Sequence, residues 1–143
     1  MSVISEKVRV ALFNKLNVSG VTTLATGGVH HLHAPNTAVT PYVVFQRVAP
    51  GLVTRVVFGS QILENDLWQI KAIVREGDST TLEPVQLAQQ ILAACETAIN
   101  DELSITGNAV KFVKRVSDIP GFRELVNDSW VYHEGYNLRV QTT

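Results

Sequence analysis

Four histidines are the first candidates for chemistry: His30-His31-x-His33 early in the chain and His133 near its end. On an extended strand His31 and His33 share a face, and a third imidazole would extend the donor set toward a zinc site. No Cys, Asp or Glu stands inside the cluster, and the helical His-Glu-x-x-His spacing is absent. The simpler reading is a polar strand face or loop near a subunit contact, so we assign no metal. The single cysteine, Cys95, falls on the apolar stripe of a predicted helix, where a buried small hydrophobe is expected rather than a reactive thiol. Asp101-Glu102 follows the same helix and reads as solvated. Lys111, Lys114 and Arg115, with Phe112 among them, make a short basic strip. Strand alternation puts Lys111 and Arg115 on one face and Lys114 on the other, which favours a solvated or salt-bridged surface over a nucleic-acid footprint. Gly-x-Ser-x-Gly, Gly-x-x-x-x-Gly-Lys-Ser/Thr and Gly-x-Gly-x-x-Gly are all missing. We therefore expect no catalytic residues, no cofactor and no enzyme.

The frame around these residues is legible from pattern. The chain has 143 residues, 45% hydrophobic and 17% charged, which suits one soluble domain spanning 1–143 with a sizeable core. No apolar run is long enough to span a bilayer, and the N-terminal residues do not read as a signal peptide, so no membrane partner is expected. A lone cysteine fits a reducing compartment, and a net charge of -1 with scattered basic residues argues against tight duplex binding.

Residues 5–16 read as a helix, with Val8, Ala11, Leu12 and Leu16 at three- and four-residue spacing. Residues 21–28 read as a loop and 29–33 as a short strand. Residues 42–49 are a strand that Pro50-Gly51 should break. Residues 66–75 alternate, with Trp68, Ile70, Ala72 and Val74 on one face and Gln69, Lys71 and Arg75 on the other. A second helix over 82–99 should begin with a capping box at Thr80-x-x-Glu83 and Pro84 in its first turn. Residues 109–116 and 130–140 are further strands, with 118–128 an irregular connection around Pro120-Gly121. The fold class expected is α+β: a mostly antiparallel sheet with two helices packed on one face and a long arm or hairpin between two strands. The connection from 53 to 63 carries Val53, Val56, Val57, Phe58, Ile62 and Leu63. Either it folds back on its own core or it projects and meets a partner.

The order of these elements resembles the small tail terminator or tail completion proteins of long-tailed bacteriophages. The resemblance rests on the first helix ending near Leu16, on Pro41-Tyr42-Val43-Val44-Phe45, on Trp68-Gln69-Ile70-Lys71-Ala72-Ile73-Val74, on the 82–99 helix and on the closing strand pair. It implies a structural virion protein at the head-tail junction, forming a homo-oligomeric ring, commonly a hexamer. The ring would cap the tail tube protein, end its polymerisation and join the tail to a head-neck connector protein, with DNA passing the lumen without sequence-specific binding. For subunit or tail-tube contact the expectation falls on Arg55, Val57, Phe58 and Ile62, and for a second contact on His31 and His33. The alternatives are another head-tail connector (a head-closure or tail-to-head joining subunit) and a small metalloenzyme using the histidines.

Overall fold

The structure, a computed structural model, describes residues 3–55, 62–107 and 109–142. Helix α1 (Val3–Leu16) follows the four-residue spacing of Val8, Leu12 and Leu16, each at most 1% exposed. The segment expected to be a loop contains a single helical turn, α2 (Ser19–Thr22), whose Val21 is fully buried. Its cause is local: the Val21 and Thr22 amides both donate to the Val18 carbonyl, at 3.0 and 2.9 Å. Strand β1 (Val29–His31) ends at His31 rather than His33, because Leu32 turns the backbone into the left-handed region at φ 70.

Strands β2 (Tyr42–Arg55) and β3 (Ile62–Arg75) pair antiparallel from Tyr42↔Ile73 to Arg55↔Ile62. Pro50-Gly51 therefore does not break β2, contrary to the sequence reading. The ladder passes it by shifting register between Arg47 and Ala49 and again between Ala49 and Leu52. An unpaired position tolerates a residue without a donor, which is how proline survives inside a strand.

Helix α3 (Pro84–Ile99) starts later than the Thr80-x-x-Glu83 spacing suggested. Glu83 is the N-cap, Pro84 opens the first turn, and the Glu83 amide donates to Gln86 Oε1 at 3.2 Å. The Leu82 amide is taken by Ser79 Oγ at 3.0 Å, so the residues before Glu83 close a turn of their own. Asn100, left-handed at φ 51, ends the helix. Leu87, Ala88, Ile91, Leu92, Cys95 and Ile99 are its buried stripe.

Strands β4 (Val110–Val126) and β5 (Ser129–Thr142) form one long hairpin. This corrects the irregular connection expected over 118–128: β4 runs through Pro120-Gly121 with a register shift between Ile119 and Phe122. The real turn is Asn127-Asp128, with φ of 50 and 63 between the paired Val126 and Ser129. Two consecutive left-handed residues make the type I′ turn that matches strand twist, and Asn and Asp tolerate that conformation better than other side chains.

The strand order is β1-β2-β3-β5-β4, with β1 parallel to β2 and the remaining pairs antiparallel. The fold is α+β, a five-stranded mixed sheet with helices. The even-numbered face of β3 from Trp68 to Val74 joins Val43, Phe45, Tyr136, Leu138, Val140 and the buried residues of α1 and α3 in one core. Because Asp128 is left-handed, Asp128→Gly should keep or raise stability, whereas Asp128→Val should cost about 1–2 kcal/mol. Urea denaturation of the two variants measures the difference.

Candidate assembly surfaces

The first turn of α1 is fastened to the sheet by a polar cluster. Ser5 Oγ donates to Asp66 Oδ2 at 2.8 Å, and Arg47 Nη1 donates to Ser5 Oγ at 2.8 Å while lying 3.8 Å from Asp66 Oδ1. Asp66 is 3% exposed and Ser5 is fully buried. A carboxylate so far from water needs donors and a counter-charge, and Ser5 and Arg47 supply both. In the ladder Asp66 falls between Asn65↔Leu52 and Leu67↔Ala49, opposite the stretch where β2 shifts register. The cluster thus holds α1 at the place where the β2–β3 hairpin is least regular. Of the predicted contact residues in that hairpin, Arg55 and Ile62 are backbone partners across the ladder, and Val57 and Phe58 lie outside the described residues.

The histidines are dispersed. The His30 ring donates through Nε2 to the Gly27 carbonyl at 2.9 Å and meets Tyr42 edge-on. His31 leans on Phe45 and Trp68 with ring centroids 5.3 and 6.3 Å away, and burial, aided by the Arg9 charge, holds its imidazole below the usual value. His33 is exposed beyond the strand end. His133 is on β5, with β2 and β3 standing between it and β1, a lateral gap of about 14 Å at ordinary strand spacing. Among the described residues no group of three or more His, Cys, Asp or Glu could hold a metal ion. The geometry does not assemble the histidines into one centre.

Cys95 is fully buried, and burial pushes its thiol up to about 12. The basic strip divides between faces. Arg115 reaches Glu96 at 2.8 Å, bonds Asp118 and lies 4.8 Å over the Tyr136 ring. Lys114 is on the opposite face and exposed.

That opposite face, formed by the odd-numbered residues of β3, is ordered in rows. One row runs Tyr42, Ile73, His133, Phe122 across four strands, with Phe122 stacked on His133 at 4.3 Å and His133 donating to Glu124 at 2.8 Å. The next row places Lys71 beside Gly135, with its ammonium 5.0 Å from the Phe122 ring; burial lowers the Lys71 pKa. A Cβ on Gly135 would lie 2.7 Å from the Ile70 carbonyl, so only glycine lets the strands close here. Then comes an amide row, Gln46, Gln69, Asn137, Ser117, joined by side-chain bonds of 3.0 Å at Gln46–Gln69 and at Asn137–Ser117. Beyond it Leu67 is followed by Arg139 and, opposite Arg139, Lys114.

Sequence reasoning found the alternation of β3 but not these rows, whose members meet only once register is known; the two bonds of the amide row span 23 and 20 residues. The Ser5–Asp66 bond, spanning 61 residues, left no local signal either.

Replacing Asp66 by Ala should cost about 2–3 kcal/mol, since it strands Ser5 and Arg47 without their anionic partner; thermal or urea denaturation measures it. The raised Cys95 thiol favours the folded state fully below its reference value of 9.0 and loses that contribution as pH climbs toward about 12. At pH 8 the native thiol should resist a disulfide reagent that labels it at once in denaturant.

No protein-family model and no curated protein matches the chain. Solved structures do share its fold. A chain in the structure described as the virion of a native gene transfer agent particle aligns with a TM-score of 0.64 at 14% identity, covering 99% of both chains. A second solved chain aligns with a TM-score of 0.57 at 15% identity, covering 97% of this chain and 96% of its own length.

Proposed function

We propose that this chain is a structural virion protein of the tail terminator kind, a single-domain subunit of a ring at the head-tail junction. The observation that carries the reading is the end-to-end fold likeness to a chain of a gene transfer agent virion. The sheet edges support it. β1 pairs only with Val43, Val44 and Phe45, so the rest of β2 has no strand on that side among the described residues. At the other end of the strand order the outer edge of β4 has none either. Two different open edges on one subunit are what a heterologous, ring-closing contact requires.

In this reading the ring is a hexamer that caps the tail tube protein, stops its polymerisation and presents its other side to a head-neck connector protein, while DNA crosses the lumen. Arg55, Val57, Phe58 and Ile62 make the subunit or tube contact, and His31 and His33 serve a second contact. Negative-stain imaging with and without tail tubes tests the function. Rings at tube ends, and tubes of uncontrolled length without the protein, are expected. Rings bound only to necks would instead make it a tail-to-head joining subunit, and a protein that neither forms rings nor binds tubes or necks would overturn the reading. Phe58→Asp should leave the circular dichroism spectrum unchanged and weaken assembly; loss of folding would assign Phe58 to the core.

A further inference from the structure

Strand β1 is three residues long and runs parallel to its one neighbour, the less stable way of pairing per residue. Two backbone bonds bracket it: the Val43 amide donates to the Gly28 carbonyl and the Leu32 amide to the Phe45 carbonyl, each at 3.0 Å. Val29 is buried, while His30 and His31 are half-buried. His31 pairs with Phe45 in the ladder and sets its ring against Phe45 and Trp68, on the side where α1 packs against β1. The charged groups near that ring are committed elsewhere. Glu6 on α1 receives Arg9 Nε at 3.0 Å through both carboxylate oxygens. On the same face of β2 and β3, Arg47 and Asp66 are bound into the Ser5 cluster. His30 turns to the Gly27 carbonyl and Tyr42, and His33 is exposed past the strand end. A proton on His31 would therefore put a cation beside Arg9 and out of water, with no uncommitted carboxylate at hand among the described residues. The attraction of the aromatic rings for a cation offsets part of that cost. Burial and Arg9 outweigh it, together with Glu6, and hold the ring toward its neutral form.

We propose that His31 is a pH-sensitive latch on β1: protonation of its ring releases the strand from β2 and uncovers the β2 edge at Val43, Val44 and Phe45. Histidine is the side chain whose charge ordinarily changes near neutral pH. Neutral His31 keeps β1 docked above the ordinary value of about 6.5, and because the docked form resists the proton, that contribution is lost as pH falls through this value and below it. The loss is local, since the strand is short and the β3–β5 ladder does not involve it. Release lengthens the stretch of β2 that has no strand on that side among the described residues. That a neighbouring subunit then uses this edge rests on the ring reading; the release of β1 does not.

Amide exchange of the full chain, expressed as protection factors at about one pH unit above and one below the ordinary histidine value, tests the latch. The Leu32 and Val43 amides, which close the two ends of β1, should lose protection several-fold in acid and no more than about tenfold, while the β3–β5 ladder keeps its own. His31→Gln cannot take the proton and should show no such loss. His30→Gln and His33→Gln should keep the wild-type loss, and Arg9→Gln, which removes the like charge and frees Glu6, should shrink it. The wild-type comparison needs no variant to fold. Protection that acid leaves unchanged, an equal loss in His31→Gln, or a loss spread evenly over the β3–β5 ladder overturns the proposal. Rings at tube ends without the acid effect would overturn the latch alone. The acid effect without rings would leave the latch standing and count against the ring reading.

Discussion

A carboxylate buried in the sheet has to be answered, and the placement of α1 follows from that. Asp66 sits on β3 with 3% of its surface exposed. Its neighbours on the same strand face, Trp68 and Ile70, offer it no counter-charge. The answer comes from Arg47 on β2 and from Ser5, which only α1 can deliver. An uncompensated buried charge costs far more than an exposed one, so the orientation of the helix over the sheet is strongly constrained at this point. Packing of Val8, Leu12 and Leu16 then continues from a fixed end.

The helices share one core with the even-numbered face of β3, and the odd-numbered face must stabilise itself. It does so by cross-strand pairing: Phe122 on His133, the Lys71 ammonium against the Phe122 ring, Gln46 to Gln69, and Asn137 to Ser117. Ile73 is only 8% exposed although it belongs to this side, where Tyr42 and His133 flank it across the ladder. Lys114 and Arg139 depart from that pattern, two cations paired across the ladder.

How much of this was readable in the sequence depended on whether the signal was local. The alternation of Trp68, Ile70, Ala72 and Val74 needs one strand only, and the stripe from Ala88 to Ile99 needs one helix only; both are present as expected. Pro50-Gly51 and Pro120-Gly121 were misleading because a proline beside a glycine signals a turn, yet both sit at register shifts that absorb them inside strands. Asn127-Asp128 was a turn signal that the stronger breaker nearby concealed. The candidate surface was the least legible part. The three clustered histidines drew attention by sequence adjacency and separate in space, whereas Lys114 and Arg139, without such adjacency, stand face to face.

The register shifts of β4 also leave a mark on the exchange of its amide protons with solvent. Along an edge strand, alternate N–H groups bond inward to the neighbour and the rest point outward, so protection should rise and fall every second residue. Each shift, between Val110 and Phe112, between Arg115 and Ser117 and between Ile119 and Phe122, moves that rhythm by an extra position. The protected set therefore changes parity along one strand. The outward-facing donors, free to accept a neighbouring chain, come in short blocks rather than one continuous comb, and a uniform strand from another molecule cannot stay in step with them over the full length of the edge.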